Sequence, residues 1–239
     1  MKLICYLSNG YPTIADSIET AKRYVEAGCD IVEVDFPSPN PFLEGEYIAS
    51  RMKAALKACR DYDKYMDGIA TLRRELPDTR LLLLMYEDTV RDIGVEKFLR
   101  YCGEHGFKDL ILVGMKDETI KNRCIAEGMR VSCYVQFNMD DEEISVAKNS
   151  NGFVYMQAKP VGIDINPEYP TLKDCIAKLR EEGIEREIYC GVGIYTADDI
   201  RMAKEAGADG VFVGSTILKL QDDVPRLQQV IREFKGACL

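Results

Sequence analysis

Two carboxylic acids stand out in the stretch IVEVDFPSPNPFLEGEYI, which covers residues 31–48. Glu33 interrupts an apolar run that predicts a buried strand, and Glu44 follows in a loop that contains three prolines. Burial penalises the charged form of a carboxylate and raises its pKa, so such a group can act as a general acid or base near neutral pH. The sequence therefore predicts proton-transfer chemistry here. A structural ion pair between Glu33 and a buried lysine or arginine is the alternative.

Two glycine turns near the end of the chain predict a phosphate site. CGVGIYTADDI (residues 190–200) places Gly-Val-Gly between a predicted strand and a helix, and GVFVGSTILKL (residues 210–220) places Gly214 and Ser215 at the same point after the next strand. Glycine lets a ligand approach the backbone closely, and the free N–H groups of a helix N-terminus bind phosphate. Tight turns that serve only the path of the chain are the alternative.

The other reactive residue types predict no metal site. None of the nine cysteines forms a Cys-x-x-Cys pair, and the single histidine, His105, ends a predicted helix. Scattered thiols in a chain whose first residues do not form a signal peptide are typical of a reducing compartment, so we expect the cytoplasm. Lys159 is the only lysine of the loop face that we keep as a candidate, and a solvated surface charge is the alternative to a functional one.

Eight short apolar runs, which predict strands, alternate with helical patterns. The strands are predicted over residues 3–8, 30–35, 80–86, 109–114, 130–136, 152–157, 186–192 and 209–214. Amphipathic helices are predicted over residues 14–28, 95–106 and 196–207, each ending in glycine, a frequent helix stop. Continuously apolar strands are typical of a parallel sheet that is covered on both faces.

Eight βα units in 239 residues predict a single (β/α)8 TIM barrel, a fold of roughly 250 residues, as one domain over residues 1–239. A doubly wound open sheet usually has a glycine-rich turn after its first strand, and SNGYP (residues 8–12) is not such a turn. Active sites of barrels lie at the carboxyl ends of the strands, which would bring the two acids and the glycine turns together. A net charge of −9 argues against nucleic acid as a ligand, and no segment approaches the roughly 20 apolar residues of a membrane span.

Six segments of the chain carry a resemblance to a known family. They are GYP (10–12), VEAGCDIVEVDFPSPNP (25–41), LMYEDTVRDIGVEKF (84–98), GFVY (152–155), GVGI (191–194) and ADGVFVGSTI (208–217). With them the chain resembles the α subunit of tryptophan synthase nearly end to end. The resemblance implies a retro-aldol cleavage of indole-3-glycerol phosphate to indole and glyceraldehyde 3-phosphate in tryptophan biosynthesis, without a metal or organic cofactor. It also implies a partner, the pyridoxal-phosphate-containing β subunit.

The resemblance assigns roles to particular residues of this chain. It implies that Glu33 shuttles protons at indole C3 and at the glycerol hydroxyl, that Glu44 accepts the indole N–H, and that Tyr155 lies near the reacting glycerol end. The residues that match an indole pocket are Tyr6, Tyr86 and Phe153. The residues that match a phosphate cradle are Gly193, Gly214 and Ser215.

Three loops of the chain differ from the family's pattern. Glu44 replaces an aspartate, KPVGIDIN (159–166) lacks the family's threonine, and LVGMKDE (112–118) lacks an aspartate-proline turn that faces the partner. We also expect the barrel to begin directly with its first strand, without the N-terminal helix of the family. These differences keep two alternatives open: a barrel enzyme that acts on another phosphorylated small molecule, and a non-catalytic partner of a β subunit.

Overall fold

A ring of parallel strands forms the centre of the molecule. The structure is a computed structural model and describes residues 1–114 and 118–239. Its strands are Lys2–Leu7 (β1), Ile31–Asp35 (β2), Arg80–Tyr86 (β3), Asp109–Val113 (β4), Arg130–Val131 (β5), Cys133–Val135 (β6), Val154–Gln157 (β7), Ile188–Gly191 (β8) and Gly210–Val213 (β9). They pair in parallel in the order β5-β4-β3-β2-β1-β9-β8-β7-β6. The predicted TIM barrel is confirmed.

The fifth predicted strand, residues 130–136, consists of two short strands that have different neighbours. The Ser132 amide donates to the Leu110 carbonyl of β4 at 2.9 Å, whereas the Cys133 amide donates to the Phe153 carbonyl ahead of β7 at 3.3 Å. The two ends of the strand order therefore meet within one segment, and the barrel is nearly closed there. The other seven predicted strands each correspond to one strand of the structure.

Helices cover the outside of the ring. They are Ile14–Glu26 (α1), Glu46–Ala58 (α2), Tyr62–Glu75 (α3), Glu87–Ile93 (α4), Val95–His105 (α5), Thr119–Ala126 (α6), Asp141–Asn149 (α7), Leu172–Glu181 (α8), Ala197–Glu205 (α9), Ser215–Leu218 (α10) and Val224–Cys238 (α11). The helices predicted over 14–28, 95–106 and 196–207 are confirmed as α1, α5 and α9. Within residues 1–114 and 118–239, no helix is both long and apolar enough to cross a membrane.

Strand side chains alternate between two cores. Outward-facing residues such as Leu3 and Leu7 pack against the helices, and inward-facing residues such as Ile4 and Phe212 pack inside the barrel. All nine cysteines are free thiols, and all but the half-buried Cys59 are buried. The cysteines are therefore mostly small residues of the core.

Charged side chains close the barrel at the amino-terminal end of its strands. Arg80, at the start of β3, donates to Asp109 at 2.8 Å and to Glu187 at 3.0 Å. Arg130, at the start of β5, donates to the same Asp109 carboxylate at 2.8 Å. We call Arg80, Asp109, Arg130 and Glu187 the floor cluster. Each carboxylate in it has an arginine partner.

Candidate active site

Strand β2 carries two acids into the barrel at its carboxyl-terminal end, which we call the mouth. Glu33 lies opposite Tyr6 of β1 and Leu82 of β3 in the strand register. Side chains two residues apart on a strand share a face, so Asp35 points the same way as Glu33, one step nearer the opening. Both are buried, with 6% of Glu33 and 1% of Asp35 exposed.

Glu33 lies in an environment that disfavours its charge. Burial raises the pKa of Glu33 well above its usual range, and the neighbouring Glu44 and Asp35 carboxylates raise it further. Among the residues that the structure describes, none hydrogen-bonds to the Glu33 side chain or pairs with it as a cation. The alternative of a structural ion pair therefore has no partner in the described residues. A carboxyl group of this kind is suited to hold and deliver a proton near neutral pH.

Glu44 lies in the loop between β2 and α2 and is half-buried. Burial raises the pKa of Glu44 to about 7. Two aromatic contacts hold this loop in place. The Tyr62 hydroxyl donates to the Pro37 carbonyl at 3.0 Å, and the Phe42 ring packs edge-on against the Tyr86 ring at 5.5 Å between centroids. The prolines and these contacts set the path that brings Glu44 to the mouth.

Partly exposed apolar side chains indicate an opening inside the barrel near the two glutamates, which we call the cavity. Side chains inside a small barrel are normally buried by one another, but Tyr134 is 40% exposed, and Ile111, Val113 and Tyr155 are half-exposed, although all four point inward. Burial raises the pKa of the Tyr155 hydroxyl well above its usual range. The neighbouring Glu33 and Glu44 carboxylates raise it further, Glu33 more than Glu44. The cavity therefore places an apolar wall within electrostatic reach of both carboxylates.

On the β1–β3 side, the mouth is lined by one apolar cluster. Its members are Tyr6, Met52, Leu84, Tyr86 and Leu218, with Ile48, Ile111 and Val113 packed against them. The buried Tyr86 hydroxyl has no hydrogen-bond partner among the described residues. The structure thus brings two of the three predicted pocket residues, Tyr6 and Tyr86, together beside the acids.

Phe153, the third predicted pocket residue, lies one layer deeper in the barrel. Its ring packs against Tyr189 at 4.8 Å and Phe212 at 6.0 Å between centroids, and it is buried. Tyr155, two residues on, stacks on Phe212 at 4.5 Å and extends over Gly191, where a Cβ atom would lie 2.0 Å from the Tyr155 hydroxyl oxygen. Phe153 supports the ring stack that holds Tyr155, while Tyr155 itself reaches the cavity.

The predicted phosphate turns lie side by side after β8 and β9. Gly193 has a φ of +103°, a conformation that favours glycine, and Ser215 begins α10 directly after Gly214. The Thr216 hydroxyl donates to the Tyr195 carbonyl at 3.5 Å and links the two turns. The two turns are therefore neighbours at the mouth.

Lys159 lies against the first of these turns. A Cβ atom on Gly193 would lie 2.8–3.1 Å from the Lys159 side-chain carbons, so the lysine stem covers this glycine. The Lys159 ammonium pairs with Asp199 at 2.5 Å. Asp199, in the first turn of α9, also accepts the Tyr195 and Thr196 backbone amides at 2.9 and 3.0 Å. Burial opposes ionisation of Asp199, but the Lys159 bond and these amides hold its pKa below the usual range. The sequence placed Lys159 on the loop face but did not reveal this contact.

Asp35 is a mouth residue that sequence reasoning missed. Its carboxylate accepts the Tyr6 hydroxyl at 2.6 Å and the Asn9 amide at 2.7 Å. The signal that could have found it is the two-residue period of a strand, which places residue 35 on the face of residue 33. We call Glu33, Asp35 and Glu44 the mouth carboxylates.

The altered loops are described only in part. Residues 115–117 lie outside the described residues, so the segment LVGMKDE is described only as far as Gly114 and from Glu118. In the loop after β7, Ile163 packs against the helix-side core, and the Gln157 side-chain amide (Nε2) donates to the Val161 carbonyl at 3.0 Å. Among the described residues, no side chain hydrogen-bonds to the Glu44 carboxylate.

Known proteins match this chain over nearly its whole length. The family model for the tryptophan synthase alpha chain matches residues 1–238. The tryptophan synthase alpha chain of Edwardsiella ictaluri is 29% identical over 97% of this chain and 90% of its own length. A solved structure from Aquifex aeolicus is 25% identical and superposes with a TM-score of 0.87 over 99% of this chain and 92% of its own. The tryptophan synthase complex from Pyrococcus furiosus, 21% identical, has the same fold, with a TM-score of 0.84 over 98% of each chain. This chain belongs to the tryptophan synthase alpha chain family.

Proposed function

We propose that the chain cleaves indole-3-glycerol phosphate to indole and glyceraldehyde 3-phosphate. The bond between indole C3 and the adjacent glycerol carbon breaks, C3 gains a proton, and the hydroxyl on that glycerol carbon loses one as it becomes the aldehyde. The reaction therefore needs an acid beside an aromatic ring, an acceptor for the hydroxyl proton, and a holder for the phosphate. Family membership supports this reaction, and the mouth offers a group for each task.

Glu33 is the group that we assign to proton transfer. A carboxyl group that keeps its proton near neutral pH can protonate C3 and accept the hydroxyl proton in the same cycle. Glu44, which ionises near neutral pH, is suited to receive the indole N–H as positive charge develops on the ring. Carboxyl groups whose surroundings push their pKa values apart are a recurrent acid–base arrangement. The observation that carries the proposal is this pair of carboxylates without a basic partner, facing an open apolar cavity among the described residues.

The opposite wall of the mouth is where we place the phosphate. The amides of Gly193, Gly214 and Ser215 are proposed to bind it, and the Lys159 stem lies beside them. In crystals grown with phosphate or sulfate, we expect the anion within about 2.7–3.2 Å of the Gly214 and Ser215 amide nitrogens. An anion held elsewhere, with both turns directed away from the mouth, would remove the support for a phosphorylated substrate.

A β subunit is the partner that we propose for the mouth face. Large apolar side chains are exposed on three loops around it, and exposed apolar groups concentrated on one face mark interaction surfaces. They are Phe42, Leu43, Val161, Ile165, Val192 and Tyr195, each at least 39% exposed. The Pyrococcus furiosus relative of this fold is described as a tryptophan synthase complex.

Incubation of the purified chain with indole-3-glycerol phosphate tests the function. We expect indole and glyceraldehyde 3-phosphate in equal amounts, and faster release when a tryptophan synthase β subunit is added. Absence of indole with and without the β subunit would contradict the proposal. In that case turnover of other phosphorylated substrates would identify a different barrel enzyme, and binding of the β subunit without any turnover would identify a non-catalytic partner.

A further inference from the structure

Asp35 is the best-held of the three mouth carboxylates. Each oxygen of its carboxylate accepts one hydrogen bond. The donors are the Tyr6 hydroxyl of β1 at 2.6 Å and the Asn9 backbone N–H, in the turn after β1, at 2.7 Å. Glu33, on the same face of the same strand, receives no hydrogen bond from the described residues. Hydrogen bonds to a carboxylate favour its charged form. Of these two neighbours, Asp35 is therefore the one that ionises first.

A buried arginine lies behind Asp35 without forming an ion pair with it. The Arg51 guanidinium of α2 donates to Ser8 at 3.1 Å, to Tyr47 at 3.3 Å and to Gln221. It also stacks over the Tyr11 ring at 3.9 Å. Its charge favours ionised Asp35 from a distance while its own donors are occupied elsewhere.

The remaining ionisable groups around Asp35 act in the opposite direction or are neutral. Glu44, from the loop above, disfavours the Asp35 charge, and the tyrosine hydroxyls of Tyr65 on α3 and Tyr86 on β3 are uncharged near neutral pH. Burial is the largest effect and raises the pKa of Asp35, whereas the hydrogen bonds from Tyr6 and Asn9 lower it. The resulting pKa is about 7. Glu33 faces Asp35, Glu44, Tyr6 and Tyr155, none of which is a cation.

We propose that Asp35 is a positioning residue for proton transfer: its carboxylate, held by Tyr6 and Asn9, faces the same side of β2 as Glu33 and keeps Glu33 in its acid form. Two like charges so close in a buried site disfavour each other, so the charge that is better held excludes the other. Glu33 is thereby left with the proton that C3 of the substrate requires. This consequence for catalysis rests on the proposed function, whereas the effect on the Glu33 proton does not.

The test is a titration of Glu33 in the substrate-free chain. Carboxyl ¹³C resonances of labelled glutamate are followed against pH in the wild type, and the Glu33 signal is identified by its loss in Glu33→Gln. Asp35→Asn keeps the shape of the side chain and one acceptor oxygen but removes the charge. We expect the Glu33 titration midpoint to fall by about one pH unit in Asp35→Asn, the lower end of the range for a neighbouring charge. Asp109→Asn, which removes a carboxylate from the floor cluster, is the matched control and should leave the midpoint unchanged.

A second variant covers the case in which Asp35→Asn does not fold. Tyr6→Phe removes one donor to Asp35 without changing any charge, so Asp35 holds its own proton to higher pH and the Glu33 midpoint should fall by a smaller amount. A Glu33 midpoint that is unchanged in either folded variant would overturn the proposal. If the midpoint moves but the wild type releases no indole, Asp35 has the proposed effect and the proposed function fails. If indole is released and the midpoint does not move, the assignment of Asp35 fails alone.

Activity gives a second readout where indole release is observed. The acid form of Glu33 is lost as pH rises through its pKa, so kcat/KM should decline on the alkaline side. Removal of the Asp35 charge lowers that pKa and should move the decline to lower pH in Asp35→Asn. A merely structural role would lower kcat/KM equally at every pH and leave the position of the decline unchanged.

Discussion

Carboxylates lie at both ends of the barrel, but among the described residues those of the floor cluster have arginine partners and the mouth carboxylates have none. In the floor cluster, Asp109 receives Arg80 and Arg130, each at 2.8 Å. At the mouth, Glu33 receives neither a cation nor a hydrogen bond from the described residues, and the buried Arg51 guanidinium donates to Ser8, Tyr47 and Gln221 instead. Acidic side chains of one barrel are thus paired with arginines at one end, whereas at the other end Glu33 has an unpaired carboxyl group that can exchange a proton.

This difference separates stability from function along the barrel axis. Removing one member of a buried charge pair strongly destabilises the folded protein, because the remaining charge is left uncompensated. A buried acid without a partner weakens the folded state but has a pKa in the range that acid–base catalysis needs. Substitutions at the two ends should therefore have opposite effects, and the following predictions test this contrast.

The largest expected effect is on turnover, at the mouth. Glu33→Gln keeps the volume of the side chain and removes its proton exchange, so indole release should fall by at least about 100-fold, a usual scale for a general acid–base group. Substrate affinity, measured by equilibrium binding of a substrate analogue, should change little because the phosphate turns are untouched. A variant that keeps most of its turnover would show that Glu33 is structural.

At the floor, the expected effect is on stability. Asp109→Asn leaves the partly exposed Arg80 and Arg130 without their shared carboxylate, and the free energy of unfolding in urea should fall by about 1–2 kcal/mol. Indole release per folded molecule should stay within about twofold, because the floor cluster lies at the opposite end of the barrel from the proposed chemistry. Loss of turnover in folded Asp109→Asn would show that the two ends are not independent.

The pH dependence of stability should also distinguish the two ends. Folding raises the pKa of Asp35 from 3.8 to about 7, so the folded state binds the proton more tightly and is favoured at low pH. This stabilisation is fully present below the unfolded pKa and is lost as pH rises through the folded one. At about 1.4 kcal/mol per pH unit, Asp35 alone should lower the free energy of unfolding by on the order of 2 kcal/mol between pH 5.5 and 8. Urea unfolding of Asp35→Asn should show a shallower decline than that of the wild type or of Asp109→Asn.

The smallest expected effect concerns the loop after β7, residues 157–170, which borders the mouth. Its prolines, Pro160, Pro167 and Pro170, stiffen it locally, but the chain has no threonine there to hold Glu44. We expect slow turnover by the isolated chain and ready hydrogen exchange across these residues until a substrate analogue binds, since loop closure completes such sites. Strong protection in the free chain, or full turnover without a β subunit, would contradict this expectation.

Lys159→Met tests whether the lysine beside the phosphate turns contributes to anion binding at the mouth. The Lys159–Asp199 pair is partly exposed, and such pairs contribute up to about 1 kcal/mol, so affinity for inorganic phosphate should fall only a few-fold while exchange across residues 158–170 increases. Lys22→Met on α1, which removes an exposed lysine paired with Glu19 and Glu75, is the matched control and should change neither. Equal effects of the two variants would show that Lys159 has no special role at the phosphate turns.

The sequence was sufficient for the fold because the fold repeats a local pattern. Apolar runs and helix-ending glycines recur along the chain, and each predicted the position of a strand or helix. The break at Ser132 could not be predicted, because RVSCYVQ has the length and composition of one strand and the change of partner from β4 to β7 follows from closure of the ring.

The site was predicted where a residue type was unusual for its place. Glu33 interrupts an apolar strand, so it was found, whereas Asp35 precedes a proline-rich loop in which an acid is unremarkable. The bonds that distinguish Asp35 come from Tyr6 and Asn9, which are distant in sequence. Lys159 contacts Gly193 in the same way, across two neighbouring loops. Such contacts arise only when the barrel closes.

The most direct test measures indole release by the wild type, Glu33→Gln and Asp109→Asn side by side, each corrected for its folded fraction. The account predicts indole from the wild type and from Asp109→Asn at similar rates, and at least about 100-fold less from Glu33→Gln. Equal rates from all three, or a loss confined to Asp109→Asn, would contradict the assignment of the chemistry to the unpaired carboxylates at the mouth.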